Sequence, residues 1–423
     1  MIRGNSIWVI SDSMANDWMP TSAGSMTNRE RAKLTRREML KTSLTASGIA
    51  LVGFRDVGLA NFAGVSTSTR NAFQGGQHLG LIEFVGEGLV PMEVPMGTGL
   101  DGRLYTDLSA IALDNPIIPN DKFYLRTRAS ELLVEGKPWS IKVTGLLKRP
   151  MQISMRDLQK MSRPAGLHLM ECSGNVSYAH FGMLSVADWA GAPVSDILDF
   201  VKMEKAASHV LISGFDDYPI ASTSSSPGAS WIFTVDELKA SKAFFATKMN
   251  GAPLPKDHGA PVRMIVPNWY GCTCIKWVNE IKLLGEGGAT TEQMREFASR
   301  TMQQGVPEMV KDYHPAFIEQ AAMPIRVEKW LVEGKIKYRA VGIAWGGSQP
   351  VSGLEIRFDS EEAFVPVHDF KQTTNDPWSF WTHRWTPMKP GIYFIQLRVK
   401  DTWVPTRRLD AGYYIRSVNV LEI

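Results

Sequence analysis

The sequence predicts an α+β domain followed by an all-β sandwich of immunoglobulin-like type. Hydrophobic residues make up 44% of the 423 residues and charged residues 21%, which is ordinary for a globular protein with a full core. Helix and strand patterns mix between residues 81 and 290, whereas period-two patterns dominate after residue 321. We therefore predict a first domain over 81–290, a connector over 291–320 and a sandwich over 321–423.

Residues 1–60 have the pattern of an export leader. Arg36 and Arg37 precede the uncharged, small and apolar stretch 42–54, which is shorter than the roughly 20 residues that a membrane-spanning helix needs. Paired arginines before such a stretch predict a twin-arginine signal and hence a periplasmic protein. A basic amphipathic helix is the alternative, and Met26 is a candidate start residue.

The rest of the chain is electrically balanced. Residues 61–80 are rich in Gly, Ser, Thr and Asn, which predicts a flexible tether. The leader holds eight basic and five acidic side chains, so 38 of each sign remain beyond it. A neutral body of this kind excludes a basic surface for nucleic acid, and we expect no membrane span in the mature chain.

Several elements of the first domain follow from local patterns. Apolar residues alternate over 140–147, as in a half-buried strand. Ser154 and Asp157 have the three-residue spacing of a helix-capping pair. Residues 194–201 carry apolar side chains at helical spacing, and the dense apolar run 262–266 predicts a buried strand.

The sandwich prediction rests on strict alternation. Leu354, Ile356 and Phe358 alternate with charged residues, and residues 393–399 repeat the pattern. Period-two runs of this kind, separated by turn residues, are typical of strands with one wet and one dry face.

Cys172 is the first candidate for chemistry. It follows an apolar stretch and precedes Ser-Gly-Asn, so we expect a tight turn with the sulfur at a strand end. A thiolate in that position can ligate a soft metal. A small buried apolar side chain is the alternative interpretation.

A second candidate group consists of His258, Arg263 and Lys276. Arg263 lies in the predicted strand 262–266, and the other two lie on either side of it. A buried charge is costly unless it is paired. An anionic group such as a phosphate would satisfy Arg263 through bidentate hydrogen bonds, and a structural ion pair would satisfy it equally well.

Together these motifs resemble the molybdenum-cofactor domain of the sulfite oxidase family. The resemblance extends over about residues 90–423. It is carried by the predicted strand Phe123–Arg128 and by Cys172–Asn175, Gly214–Asp216, Pro255–Arg263, Val266–Gly271 and Lys276–Trp277. It implies a molybdopterin-binding domain of sulfite oxidase type, followed by an immunoglobulin-like dimerisation domain.

The resemblance also implies residue roles. Cys172 would be the thiolate ligand of molybdenum, and Arg126 would face the metal and an incoming oxyanion, so both are catalytic candidates. The residues that would hold the pterin and its phosphate are Tyr124, Leu125, Arg126, Thr127, Arg128, Asp216, His258, Arg263, Cys274, Ile275 and Lys276.

The implied function is oxidation of a small sulfur oxyanion, most directly sulfite to sulfate, on a molybdenum–molybdopterin cofactor. The sequence lacks the Cys-x-x-Cys-His haem motif. Electrons would therefore pass to a separate c-type cytochrome, and the chain would form a homodimer or a complex with a cytochrome subunit.

Some positions depart from the family pattern. Val176 and Ser177 stand where sulfite oxidases carry two arginines, no arginine occurs in 344–350, and Phe297 lies near the expected position of a tyrosine. Each lost charge-assisted hydrogen bond weakens anion binding by about 1.5–3 kcal/mol. The alternatives are a sulfane dehydrogenase subunit, a molybdenum sulfoxide reductase, and a non-catalytic protein with a vestigial cofactor fold.

The roles of two further pairs of side chains stay open. Cys272 and Cys274 would point the same way in a strand and could line the pterin pocket, pack inertly, or form a separate metal or redox site. Tyr178 and His180 could replace missing pocket groups or occupy ordinary loop positions.

Overall fold

The computed structural model describes residues 72–88, 90–220 and 228–423. The predicted leader over 1–60 and the tether residues 61–71 lie outside the described residues. Among the helices of the described ranges, we find none whose length and apolar character would suffice to cross a membrane.

The first domain is built on two sheets. One contains, in spatial order, β4 (Met151–Ser154), β3 (Ser140–Gly145), β12 (Val278–Leu284), β7 (His209–Gly214) and β8 (Ser230–Thr234). The other contains β10 (Ala252–Pro253), β9 (Phe244–Met249), β6 (Leu184–Pro193) and β5 (Arg163–Glu171), with β11 (Arg263–Ile265) also paired to β9. The strands predicted at 140–147 and 262–266 are thus confirmed as β3 and β11.

Within the described residues, five short α-helices connect and cover the strands: α1 (Met155–Met161), α2 (Val194–Val201), α3 (Val235–Ala240), α4 (Glu292–Phe297) and α5 (Arg407–Asp410). The predicted cap of α1 is confirmed, because the Asp157 amide donates to Ser154 Oγ at 3.2 Å and the Ser154 amide donates to Asp157 Oδ2 at 3.2 Å. The bounds of α2 match the helix predicted over 194–201.

The C-terminal region consists of two five-stranded antiparallel sheets. One contains β1 (Gln77–Ile82), β13 (Ala321–Val332), β14 (Lys335–Trp345), β18 (Ser379–Trp385) and β17 (Asp369–Phe370). The other contains β16 (Val365–Pro366), β15 (Leu354–Arg357), β19 (Gly391–Val399), β20 (Arg416–Val420) and β2 (Phe84–Val85). An all-β region therefore stands where it was expected, and its immunoglobulin-like type stays a prediction.

The N-terminal boundary differs from the prediction. Residues 77–80 were assigned to a tether and residues 81–85 to the first domain, but β1 pairs with β13 and β2 pairs with β20. Backbone hydrogen bonds to distant strands fix these residues, which local composition does not reveal.

The strand predicted over 123–128 does not form, and neither does the strand considered for Cys272 and Cys274. The segment Phe123–Arg128 is a series of bends with one bridge, in which the Leu125 amide donates to Leu104 O at 2.9 Å. Residues Gly271–Thr273 form a 3-10 turn. Both segments contribute to the wall of a cavity, where their backbones do not pair with a neighbouring strand along their length.

Candidate functional site

One cavity collects nearly all of the predicted site residues. It encloses about 830 Å³, part of it open to solvent. The predicted residues that line it are Tyr124, Leu125, Arg126, Thr127, Cys172, Asp216, His258, Arg263, Cys274, Ile275 and Lys276. Arg128 does not line the cavity; its Nε lies 3.6 Å from Asp257 Oδ2, and its aliphatic chain covers Gly102.

The end of β5 places Cys172 at the wall of this cavity. The Cys172 amide donates to Met183 O at 2.9 Å, and the Asn175 amide donates to Cys172 O at 2.9 Å. Asn175 Oδ1 in turn accepts from the Met183 amide at 3.1 Å. The tight turn predicted from Ser-Gly-Asn is therefore present, and it directs a thiol that is only 4% exposed toward the cavity.

His258 presents a hydrogen-bond acceptor at this site. Its Nε2 lies 2.9 Å from Asn120 O and donates to it, whereas Nδ1 is buried without a partner among the described residues. Burial, followed by the charges of Arg263 and Lys276, lowers the pKa of His258 to about 3. The imidazole is therefore neutral at physiological pH, and Nδ1 can accept a hydrogen bond.

Arg263 and Lys276 bring two cations to the same wall. Arg263 is 6% exposed and donates to Cys274 O, to His258 O and to Met170 Sδ. Lys276 Nζ donates to Thr127 O at 2.5 Å and to Asp257 O at 2.9 Å. Burial lowers the pKa of both groups.

Neither of these cations forms an ion pair within the described ranges, so the structural ion pair considered for Arg263 does not occur there. The charges of Asp257 and Asp216 lie near Lys276, whereas no carboxylate of the described residues acts on Arg263. A desolvated guanidinium of this kind favours an anionic ligand, because a ligand charge offsets the cost of burial. The geometry therefore favours the phosphate interpretation of this cluster.

Asp216 has a positioning role in the structure. Its Oδ2 accepts hydrogen bonds from the amides of Gly228 and Ala229, the latter at 2.9 Å. These bonds hold the backbone that enters β8, and Ala229 itself lines the cavity.

The 3-10 turn at Gly271 brings two more thiols to the site. A Cβ on Gly271 would lie 2.5 Å from Tyr124 Oη and 3.2 Å from Glu171 O, so only glycine allows this close approach. Cys272 and Cys274 both line the cavity, and burial raises the pKa of both thiols.

The three cysteines are free in the structure. Within the described ranges, no group of three or more His, Cys, Asp or Glu side chains could hold a metal ion on its own. A metal at Cys172 would consequently need ligands from a bound cofactor. For Cys272 and Cys274 the positions agree with the pocket-lining interpretation.

Most of the arginines around the turn after Cys172 were not predicted from the sequence. A Cβ on Gly174 would lie 3.2 Å from Arg300 Nη1 and 4.0 Å from Cys172 Sγ. Arg408 Nη2 donates to Ser173 O at 3.1 Å and to Arg300 O at 2.9 Å.

Arg103 also belongs to this group. Arg103 Nη1 donates to the main-chain oxygen of Arg126, and burial followed by the charge of Arg126 lowers the pKa of Arg103 to about 10. Arg103, Arg126, Arg300 and Arg408 come from separate segments, so no local motif could reveal the group.

The predicted connector also supplies part of the cavity wall. Gln293, Glu296 and Phe297 of α4 line it, and their i, i+3, i+4 spacing puts them on one helix face. Gln293 Nε2 donates to Cys272 O at 2.6 Å, and Gln293 Oε1 accepts from the Ser230 amide at 3.1 Å. That spacing was the available signal, but the helix is too short for periodicity to be decisive.

A buried carboxylate lies directly behind Cys172. Glu171 Oε2 accepts from Trp345 Nε1 at 2.8 Å, and Oε1 accepts from the Tyr414 hydroxyl at 3.2 Å. Burial raises the pKa of Glu171. The C-terminal sheets thus hold the end of β5 in place.

Tyr178 and His180 do not line the cavity. Tyr178 is 44% exposed, and His180 Nδ1 lies 2.9 Å from Glu87 Oε2. Their contacts agree with the loop interpretation.

Comparison with known proteins agrees with these features. Residues 129–290 match the family model described as an oxidoreductase molybdopterin binding domain. Mitochondrial sulfite oxidase of Homo sapiens is 24% identical over 330 residues, 73% of this chain and 59% of that protein. NADPH nitrate reductase of Fusarium oxysporum is 26% identical over 256 residues, 53% of this chain and 27% of that protein.

A solved structure matches along nearly the whole chain. The sulfane dehydrogenase SoxCD from Paracoccus pantotrophus superposes with a TM-score of 0.59 over 94% of both chains, at 17% identity. This likeness establishes a shared fold. The chain spans less than two thirds of the length of the curated relatives described above.

Proposed function

We propose that this chain, a member of the sulfite oxidase family of molybdopterin oxidoreductases, oxidises a small sulfur oxyanion, most directly sulfite to sulfate. The observation that carries the proposal is the group of arginines beside Cys172. Arg126 lines the cavity and Arg300 lies against Gly174. They provide positive charge where the family motif has been replaced by Val176 and Ser177.

The chain binds the molybdenum cofactor, and its cavity fits that group. Among the described residues, the buried Nδ1 of His258 has no partner, and Arg263 is a buried guanidinium on which no carboxylate acts. Arg263 and Lys276 would hold the phosphate, His258 the pterin, and Cys172 the metal. When bound, the cofactor supplies oxygen transfer to sulfur and takes up two electrons.

The arginines would bind and orient the substrate. A guanidinium stays charged at every physiological pH and offers a planar set of donors to an oxyanion. Where a guanidinium nitrogen is buried, as Arg126 Nη1 is, a charge-assisted hydrogen bond is stronger than it would be on the surface. Arg408 would act indirectly, since its hydrogen bonds fix Ser173 and Arg300.

The proposal extends to electron transfer and location. The twin-arginine pattern at Arg36 and Arg37 supports a periplasmic protein, and the sequence has no haem-attachment motif. We infer a separate c-type cytochrome as the electron acceptor, in a homodimeric or cytochrome-containing assembly.

The test uses full-length protein from a host that makes the cofactor. Cys172→Ser should leave the melting temperature nearly unchanged but abolish sulfite-dependent reduction of cytochrome c, because the hydroxyl is a poor ligand for a soft metal. Cys272→Ser is the matched control, since that thiol lines the same cavity. It should retain molybdenum and most of the turnover.

Elemental analysis and a substrate panel decide the outcome. Near-stoichiometric molybdenum in the unmodified protein and sulfite turnover would support the proposal. Equal turnover in Cys172→Ser would refute the ligand role. Activity with thiosulfate-derived sulfur alone, or sulfoxide reduction by a reduced dye alone, would replace sulfite oxidation with one of those reactions.

A further inference from the structure

Two carboxyl side chains line the cavity among the described residues, and they differ in what surrounds them. Asp216 already accepts hydrogen bonds from two backbone amides. Glu296 receives none within the part of the chain that the structure describes. Its neighbours are instead the cations Arg126 and Arg300.

The helix that carries Glu296 is firmly held. The α4 helix is capped by Thr291, whose Oγ1 accepts from the Met294 amide at 3.2 Å, and the Tyr313 hydroxyl donates to Met294 O at 2.7 Å. Gln293 anchors the same helix to Cys272 O. Glu296 lines the cavity and is partly exposed, so this residue lies between the cavity and solvent.

The proposed reaction releases protons. Sulfite takes its new oxygen atom from water, so that sulfite plus one water gives sulfate, two protons and two electrons. The electrons pass to the cytochrome inferred above. The protons need a base in the cavity, because the nearby arginines are already protonated and repel positive charge.

We propose that Glu296 accepts one of these protons. An O–H bond of the entering water breaks, an O–H bond forms on the Glu296 carboxylate, and the proton then leaves from the carboxyl group to solvent. This inference rests on the proposed function, because it needs a reaction that consumes water.

The surroundings of Glu296 suit this step. Burial raises its pKa, and the charges of Arg126 and Arg300 oppose that rise. The charge of Asp216 adds to the rise, and the charge of Arg103 opposes it. A base works best when its pKa approaches the operating pH, since it must both take and release the proton.

The test compares Glu296→Gln with Glu292→Gln, because Glu292 belongs to the same helix, is exposed and does not line the cavity. Glu296→Gln should lower kcat for sulfite by about a hundredfold, with KM little changed, and Glu292→Gln should leave both unchanged. The kcat of the unmodified protein should fall as pH decreases through the pKa of Glu296, because the protonated acid cannot accept another proton. Glu296→Gln should lose this acidic limb.

A second measurement does not depend on turnover rate. Infrared difference spectra recorded after addition of sulfite should show a protonated-carboxyl band in the unmodified protein and in Glu292→Gln. The band should be absent from Glu296→Gln. Glu296→Asp, which retains a carboxylate, should recover part of the band and part of the turnover.

The outcomes separate this inference from the proposed function. If sulfite turnover of Glu296→Gln equals that of the unmodified protein with the acidic limb intact, the inference fails and the proposed function stands. If Glu296→Gln loses molybdenum in proportion to its kcat, the side chain holds the cofactor and the inference fails. If the molybdenum-loaded, unmodified protein does not oxidise sulfite, both are overturned.

Discussion

Arg300 and Arg408 illustrate how single side chains complete this site. Arg300 follows α4, and Arg408 belongs to α5 in the C-terminal region, yet Arg408 Nη2 donates to the main-chain oxygens of both Ser173 and Arg300. The Arg408 guanidinium thus links the turn after Cys172 to the segment that carries Arg300. The proposed anion site would therefore be assembled from residues more than 100 positions apart.

The contribution of Arg300 can be measured directly. Arg300→Gln should raise KM for sulfite about tenfold to a hundredfold, because a charge-assisted hydrogen bond contributes about 1.5–3 kcal/mol. Arg295→Gln removes an exposed arginine from α4 and is the matched control. Steady-state kinetics with cytochrome c, together with sulfate inhibition constants, would reveal the change. Identical KM values in both variants would exclude Arg300 from substrate binding.

At the scale of elements, short turns shape the cavity more than regular strands do. The 3-10 turn Gly271–Thr273 and the bends of 123–128 form its walls, although a strand was predicted over 123–128 and considered for Cys272 and Cys274. Irregular backbone can bend around a ligand, whereas a strand must remain paired with its neighbours. Regular strands nevertheless position the site, since Cys172 directly follows β5.

Gly271 tests the importance of this close packing. Gly271→Ala should lower the free energy of unfolding by about 1–3 kcal/mol, because the added Cβ collides with Tyr124 Oη and approaches Glu171 O. Gly288→Ala is the control, since nothing lies within 4 Å of a Cβ at that position. Chemical denaturation and molybdenum content should both distinguish the two variants. Equal stability would mean that the Tyr124 ring moves aside at little cost.

At the scale of the whole molecule, the C-terminal sheets are part of the site's support. Glu171 of β5 is bound by Trp345 of β14 and by Tyr414. Asp376 binds the Leu169 amide at 2.7 Å and His168 Nδ1 at 2.5 Å. Buried residues of both regions belong to a single apolar cluster, so we expect them to unfold together.

Replacement of a tryptophan tests this coupling. Trp345→Phe leaves Glu171 Oε2 without its donor, which should cost about 1–3 kcal/mol of unfolding free energy. Trp378→Phe is the control, because the buried Nε1 of Trp378 has no hydrogen-bond partner among the described residues. Thermal unfolding, followed by cofactor absorbance and by far-ultraviolet circular dichroism, should show a larger decrease in melting temperature for Trp345→Phe than for Trp378→Phe. Equal shifts would show that ring packing, and not the hydrogen bond, couples the regions.

Local features of the chain were predictable from sequence. Apolar alternation located β3 and β15, the Ser154–Asp157 spacing located the start of α1, and Cys172–Asn175 predicted a turn. Such features depend on hydrogen bonds and side-chain periodicity within a few residues, so the local sequence is sufficient. The motif resemblance also selected residues that prove to share one cavity, with Arg128 as the exception.

Only the tertiary structure decided which distant segments meet. The sequence determined the cofactor class, the order of the two regions and the thiol at position 172. It did not reveal that Arg300 and Arg408 lie at the turn after Cys172, or that Glu296 lines the same cavity as this thiol. It also did not reveal that β1 joins a C-terminal sheet. The physical reason is that these contacts arise from the packing of the completed core, where the partner of each side chain lies far away along the chain.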